Sequence, residues 1–136
     1  MKQFLGKRID FPAIQRNLEN EVLSGVAFSA TDYRSGLAVS FFDGDENIQP
    51  WKRSGRRGSR TRIELPRLLA SSAIPILFQP IAVGADYYGD GGVALKNPLS
   101  PAIHLGAEKI SPSEFATQNL PLHQPRKVGK LEDSIF

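Results

Sequence analysis

An aspartate surrounded by glycines is the first feature of the sequence that could carry chemistry. Asp90 lies between Gly89 and the pair Gly91 and Gly92, in the stretch "YYGDGG". Such turns often contain aspartate, because Asp and Gly tolerate positive φ and the carboxylate can accept a backbone hydrogen bond. The same glycines remove side-chain bulk, so a second group can approach the carboxylate closely. The residues therefore leave two interpretations open, a plain turn residue or a reactive carboxylate.

Other reactive residue types give weaker signals. The chain has no cysteine, which excludes disulfides, thiolate metal sites and cysteine nucleophiles. His104 and His123 have no cysteine or second histidine at ligand spacing, so no metal site is expected. The stretch "DGDEN" from Asp43 resembles the start of a calcium loop, but its sixth and twelfth places are Ile48 and Ser54. Calcium is rejected because those places require glycine and glutamate.

Positive charge is concentrated in one stretch of a chain whose net charge is +3. Six basic residues and no acidic residue lie between positions 52 and 62: Lys52, Arg53, Arg56, Arg57, Arg60 and Arg62. A nucleic-acid-binding domain would spread its charge over a face, so no nucleic-acid partner is expected. The cluster could instead bind an anionic surface. Trp51 beside it could insert at a membrane interface or pack against the domain.

Periodic patterns indicate the elements that would position these residues. A helix over 11–24 is predicted, with Asp10 as N-cap and an apolar stripe at steps of three and four formed by Phe11, Ile14, Leu18 and Val22. Alternating residues in "GVAFSATDY" and "LAVSFF", around a Ser-Gly turn, predict a hairpin. The stretch that follows, "DGDENIQPWKRSGRRGSR", is predicted to be a long polar loop.

The second half of the chain contains shorter patterns. "LPRLLASSAIP" predicts a helix with Pro66 in its first turn and Pro75 at its end. Two short strands are predicted around Gly84 and Ala85, and Ser100 is predicted to cap a short helix. Residues 111–136 lack periodicity and predict an irregular tail.

Composition is typical of one ordinary domain, with 136 residues of which 40% are hydrophobic. The N-terminus has no apolar core of a signal peptide, and no apolar run reaches the length of a bilayer span. A cytoplasmic or peripheral membrane location is therefore expected.

One long stretch resembles a known family. "LLASSAIPILFQPIAVGADYYGDGGVALKNPLSPAIHLGAEKI" is similar to the C-terminal part of the catalytic domain of patatin-like phospholipases, through "ASSAIP", then "DGG", then "LGAEKI". The upstream "GVAFSATDYRSGLAVSFFDG" is similar to the paired strands that precede "ASSAIP" in that family. The resemblance covers roughly residues 8–110.

The resemblance implies an α/β fold and hydrolysis of lipid esters by a Ser–Asp dyad, without a metal or organic cofactor. The DGG motif maps onto Asp90, Gly91 and Gly92, and Asp90 would be the catalytic base. A carboxylate within hydrogen-bond reach can take the proton that makes a serine hydroxyl nucleophilic. The implied partner is a lipid or another ester at a membrane surface.

Two family features are absent from this sequence. It has no G-x-S-x-G, and Ser59 after Gly58 lacks the strand-turn-helix context of a nucleophile. It also has no glycine-rich segment for an oxyanion hole. Residues 1–110 are therefore expected to form a partial patatin-like sheet with flanking helices, lacking the nucleophile-elbow half, as in a truncated, frameshifted or split gene product.

Such a chain would be inactive alone and could need the nucleophile-bearing segment as a partner. The alternative function is a non-catalytic module that binds anionic surfaces through residues 51–62.

Overall fold

The two alternating runs near the middle of the sequence form the central hairpin of the sheet. In the computed structural model, which describes residues 2–111, strands β1 (Gly25–Asp32) and β2 (Ala38–Gly44) pair antiparallel, with Ala30 opposite Val39. The Asp32 carboxylate closes the connecting turn by accepting hydrogen bonds from the Arg34 N–H at 2.9 Å and the Ser35 hydroxyl at 2.7 Å. The predicted hairpin is confirmed.

Four further strands complete the sheet, in the order β3-β4-β2-β1-β6-β5. They are β3 (Trp51–Arg53), β4 (Arg56–Arg60), β5 (Ile81–Val83) and β6 (Asp86–Asp90). β4 pairs parallel with β2, whereas the other neighbouring strands pair antiparallel. The described residues thus form a six-stranded mixed sheet with helices, which confirms the α/β class. The short strands predicted around Gly84 and Ala85 are β5 and β6.

The prediction of a long polar loop before residue 60 is wrong, because β3 and β4 form a second hairpin there. The pairing places Lys52 opposite Arg57 and Arg53 opposite Arg56. Like charges directly opposite one another oppose strand pairing. The hairpin forms because β4 also pairs with β2 and because Trp51 packs directly over Gly58. Neither contact follows from the local pattern of the sequence.

Two helices precede the sheet. Helix α1 (Lys2–Arg8) was not predicted, and α2 (Phe11–Glu19) is shorter than predicted. Asp10 caps α2 as expected, because its carboxylate accepts the Ala13 N–H at 2.9 Å. The helix ends early since Asn20 is its C-cap and Glu21 has a positive φ of 57°. Val22 therefore lies outside the helix, does not extend its apolar face, and is 70% exposed.

The later helices cover the two faces of the sheet. Helix α3 (Leu65–Ser72) has Pro66 in its first turn, as predicted, and its Ala70 packs in the core with Ala30, Val39 and Phe41 on one face. A 3-10 helix (Gly91–Val93) and helix α4 (Ser100–His104) contact the other face.

The predicted cap of α4 is wrong. Leu99 is the N-cap, and the Ser100 hydroxyl accepts a hydrogen bond from Arg56 Nε at 3.2 Å. Within residues 2–111, no helix is both long enough and apolar enough to cross a membrane. The predicted irregular tail lies outside the described residues, apart from its first residue.

Candidate active site

Asp90 is fixed at the junction of three elements. It is the last residue of β6 and lies opposite Ala30 of β1. Its N–H donates to the Ala73 carbonyl at 2.9 Å, directly after α3. Its carbonyl accepts the Thr31 hydroxyl at 2.7 Å. The backbone of Asp90 is therefore held between the central strand and the end of the "ASSAIP" helix.

The Asp90 carboxylate caps the turn that follows. Its Oδ1 accepts the Gly92 N–H at 2.6 Å, which makes Asp90 the N-cap of the 3-10 helix. Among residues 2–111, no side chain donates a hydrogen bond to Asp90, and Oδ2 has no donor. The residue is half-buried rather than enclosed. One oxygen thus fixes the orientation of the carboxylate while the other can accept a proton donor.

Two of the surrounding glycines are required by packing. A Cβ on Gly89 would overlap the Tyr33 hydroxyl, and a Cβ on Gly91 would overlap the Ser29 carbonyl oxygen. A Cβ on Gly92 would lie 2.9 Å from Asp90 Oδ1. The fold therefore accounts for glycine at 89 and 91, and clearance of the carboxylate depends on Gly92.

The serines near this turn are occupied by other hydrogen bonds. The hydroxyls of Ser71 and Ser72 donate to the Leu68 carbonyl at 3.0 and 3.1 Å. Those of Ser29 and Ser40 lie 3.0 Å apart and bond to each other. Ser59 lies within β4, so it lacks the strand-turn-helix context of a nucleophile. In the part of the chain that the structure describes, no serine donates to Asp90.

Exposed apolar side chains border the Asp90 turn. Ile74 follows Ala73, whose carbonyl accepts the Asp90 N–H, and is 46% exposed. Ile76 and Leu77 in the same loop are 103% and 71% exposed, and Val93 in the 3-10 helix is 60% exposed. An exposed apolar loop such as the one after α3 is typical of a binding face.

The six cations of residues 52–62 do not share one face of the sheet. Lys52 and Arg57 form one cross-strand pair and Arg53 and Arg56 form the next, so the two pairs project from opposite faces. Lys52, Arg53 and Arg62 are exposed. The stretch therefore presents a divided charge rather than one continuous basic surface.

Arg57 is one of three arginines in this stretch that contribute to the fold. Arg57 lies 3.7 Å from the buried Asp32 carboxylate. Burial alone would raise the pKa of Asp32, but hydrogen bonds from Ser35 and Arg34 and the charge of Arg57 lower it below its ordinary value.

The other two arginines are anchored as well. Arg60 lies 3.8 Å from Asp43 and donates to the carbonyls of Gly44, Asp45 and Ile48. Arg56 donates to Ser100. Three of the six basic residues, Arg56, Arg57 and Arg60, thus make contacts that stabilise the fold.

A stack of three rings joins α4 to the sheet. Trp51 is 8% exposed, with its ring centroid 5.0 Å from that of Phe42 and 4.3 Å from that of His104. Burial, followed by the charges of Arg53 and Arg56, lowers the pKa of His104, so the neutral ring is favoured. Trp51 therefore packs against the domain, and His104 has a structural role. Sequence reasoning missed this stack because its members belong to three separate elements.

No protein-family model, no curated protein and no solved structure matches this chain. The resemblance to patatin-like phospholipases therefore stays a prediction from the motifs of residues 8–110.

Proposed function

We propose that this chain carries the general-base half of a patatin-like lipid acyl hydrolase, with Asp90 as the base. The observation that supports the proposal is the state of the Asp90 carboxylate, held at 2.6 Å by the Gly92 N–H through one oxygen only. A general base needs a fixed orientation and an oxygen within reach of the proton it accepts. Both conditions are met by a half-buried carboxylate at the end of a strand.

The serine would come from a segment with G-x-S-x-G, which this sequence lacks. Its hydroxyl would donate its proton to Asp90 Oδ2 while its oxygen attacks the ester carbonyl. Collapse of the tetrahedral intermediate would break the ester C–O bond, and the proton would pass to the leaving alcohol. Water, deprotonated by Asp90 in turn, would release the fatty acid and regenerate the serine.

The apolar surface beside the turn favours a lipid ester as substrate. Ile76 and Leu77 expose more than half of their surface in the loop between α3 and β5, which begins directly after Ala73, the residue that binds the Asp90 N–H. Acyl chains gain about 0.8 kcal/mol for each methylene transferred from water to such a surface. No charged residue occurs between Ile74 and Val83, so this surface would not repel an apolar chain.

The test is complementation by a segment that carries a glycine-rich loop and a G-x-S-x-G turn. The chain alone should react with no fluorophosphonate probe at any serine, because no serine donates to Asp90 among residues 2–111. The complemented protein should react at the added serine and hydrolyse lipid esters. In that protein Asp90→Asn should lower the rate by about 10²–10⁴, the usual contribution of a general base.

Asp45→Asn is the matched control. Asp45 Oδ1 accepts the N–H two residues later, from Asn47 at 2.7 Å, just as Asp90 Oδ1 accepts that of Gly92. An asparagine side chain keeps either bond, so both variants should melt like the parent. Equal hydrolysis by the Asp90 and Asp45 variants would make Asp90 a plain turn residue. Labelling of the isolated chain, first of all at Ser59, would contradict the requirement for a second segment.

The alternative function is binding of anionic surfaces by residues 51–62. The exposure of Lys52, Arg53 and Arg62 favours it. The ion pairs of Arg57 and Arg60 and the division of charge between two faces weaken it. It needs no reaction at Asp90, so the Asp90 variant leaves it unaffected.

A further inference from the structure

Helix α4 is held on the sheet by a histidine with a buried ring nitrogen that has no partner. The His104 ring stacks on Trp51 with a centroid distance of 4.3 Å, and Trp51 stacks in turn on Phe42 at 5.0 Å. His104 Nε2 is buried and has no hydrogen-bond partner within residues 2–111. Because a buried polar atom without a partner is rare in folded proteins, this nitrogen calls for an explanation.

The surroundings of the ring oppose its protonation. Burial lowers the pKa of His104, and the charges of Arg53 of β3 and Arg56 of β4 lower it further. The cavity beside the ring adds Lys52 and a single acidic residue, Asp45. Asp45 does not offset these cations, because its Oδ1 already accepts two hydrogen bonds from Asn47, at 2.7 and 2.8 Å. Protonation would thus place a charge beside two cations and leave a buried N–H without an acceptor.

Of the elements around the ring, α4 can leave the sheet with the smallest loss of structure. It has only five residues, and an isolated helix of this length is not stable in water. It connects to the sheet through side chains, with the His104 ring on Trp51 and the Ser100 hydroxyl on Arg56 Nε at 3.2 Å. Trp51, in contrast, belongs to a strand that pairs with β4. Release of α4 would therefore leave the strands of the sheet paired.

We propose that α4 is an acid-sensitive cover of Trp51: protonation of His104 releases the helix from the sheet and exposes the tryptophan. In the undocked helix the pKa of His104 has its ordinary value of 6.5, whereas in the docked helix it is lower, so the undocked form binds more protons. Undocking is therefore favoured as the pH falls below 6.5, by up to about tenfold per pH unit, until the docked ring is protonated as well.

The exposed tryptophan would change the character of the basic stretch. Trp51 lies in the same strand as the exposed cations Lys52 and Arg53. Acid would thus add to them a side chain that favours membrane interfaces. The release of α4 itself depends neither on surface binding by residues 51–62 nor on a reaction at Asp90.

The experiment is a titration of the full chain from about pH 7.5 to about pH 5, where histidine titrates and most carboxylates stay ionised. Trp51 is the single tryptophan of the sequence, so its emission and its quenching by acrylamide report its exposure. Far-UV circular dichroism of the same samples reports the sheet. We expect the emission to move to longer wavelength and quenching to increase, with a midpoint below 6.5, while the far-UV spectrum changes little.

Amide chemical shifts of the isotopically labelled chain locate the change. The N–H groups of Ile103 and Leu105 donate to carbonyls within and before α4, and their signals should shift together with that of the Trp51 indole. The amide of Val39, in the core on the other face of the sheet, should not shift.

His104→Phe keeps a ring that does not titrate, so it should keep Trp51 covered throughout. Its control is His123→Gln, which removes the other histidine of the sequence and should leave the transition unchanged. Arg53→Gln removes an exposed cation beside the ring, which raises the pKa of docked His104, so the transition should require more acid. Lys52→Gln is its control, since Lys52 is in the same strand and exposed but is not one of the charges that lower this pKa.

Three results would overturn the proposal: constant exposure of Trp51 over this range, a transition that coincides with loss of the far-UV signal, or the same transition in the parent and in His104→Phe. If His104→Phe does not fold, the Arg53 and Lys52 variants decide, because equal midpoints in these two proteins would also overturn it.

Discussion

Replacement of Gly58 by alanine should destabilise the whole sheet through one tryptophan. A Cβ on Gly58 would overlap the Cδ2, Cε2 and Cε3 atoms of the Trp51 ring. The ring cannot yield easily, because it is 8% exposed and lies between Phe42 and His104. Gly58→Ala should therefore push Trp51 out of the stack or shift β4 away from β3.

The size of the effect follows from the contacts that would be lost. Overpacking of a core costs typically about 1–3 kcal/mol. Each of the two ring pairs contributes about 0.5–1.5 kcal/mol beyond burial. We expect Gly58→Ala to lower the free energy of unfolding by about 2–4 kcal/mol, since part of the stack would re-form after relaxation. In a domain of this size the melting temperature should fall by roughly 10 °C.

Denaturation followed by far-UV circular dichroism measures the loss, and near-UV circular dichroism reports the stack because Trp51 is the single tryptophan of the sequence. Gly6→Ala is the control, since its Cβ would meet only the flexible end of Leu65 at 3.2 Å and α1 should gain helix propensity. In a Trp51→Leu background the alanine at 58 should cost much less. A Gly58→Ala protein with unchanged melting and an unchanged near-UV spectrum would refute the reasoning.

The remaining predictions concern acid and membranes. The lowered pKa of His104 means that the unfolded chain binds more protons than the folded chain just below the ordinary value of 6.5, so stability should fall as pH drops through that range. His104→Phe keeps a ring in the stack and should remove this dependence; an identical pH profile of parent and variant in thermal melts would contradict it. Vesicle binding, if residues 51–62 provide it, should need anionic lipid and fade with salt, with about 1 kcal/mol from each of Lys52, Arg53 and Arg62. Replacement of these three exposed cations by glutamine should abolish binding in a sedimentation assay, and equal binding to neutral vesicles would exclude the electrostatic explanation.

Local patterns predicted the elements whose signals are contained in a few neighbouring residues. The hairpin of β1 and β2 follows from alternation around a Ser-Gly turn, and the start of α2 follows from Asp10 as its cap. The second hairpin could not be predicted in this way. Its like-charged pairs oppose pairing, and its stability depends on Trp51 over Gly58 and on a parallel neighbour distant in sequence.

Only part of the candidate site, too, could be predicted from the sequence. The sequence "DGG" predicts that Asp90 lies in a tight turn, and its carboxylate does accept a backbone hydrogen bond within that turn, from the Gly92 N–H. The hydrogen bonds of the Asp90 backbone to Ala73 and Thr31 could not be predicted, because these residues belong to elements distant from Asp90 in the sequence. Gly89 and Gly91 do not clear space for the Asp90 carboxylate, because Tyr33 and Ser29 occupy the space beside them.

The long-range pairing of β6 with β1 has a consequence for the order of folding. The bond that joins Thr31 to Asp90 closes a separation of 59 residues, whereas the neighbouring hairpin closes through a short turn. Loop closure over a longer separation costs more entropy, so contacts of this kind form after local ones. We therefore expect the β1–β2 hairpin to form first and the Asp90 turn to be completed late. By the same reasoning, partial unfolding would disassemble the Asp90 turn while the central hairpin is still intact.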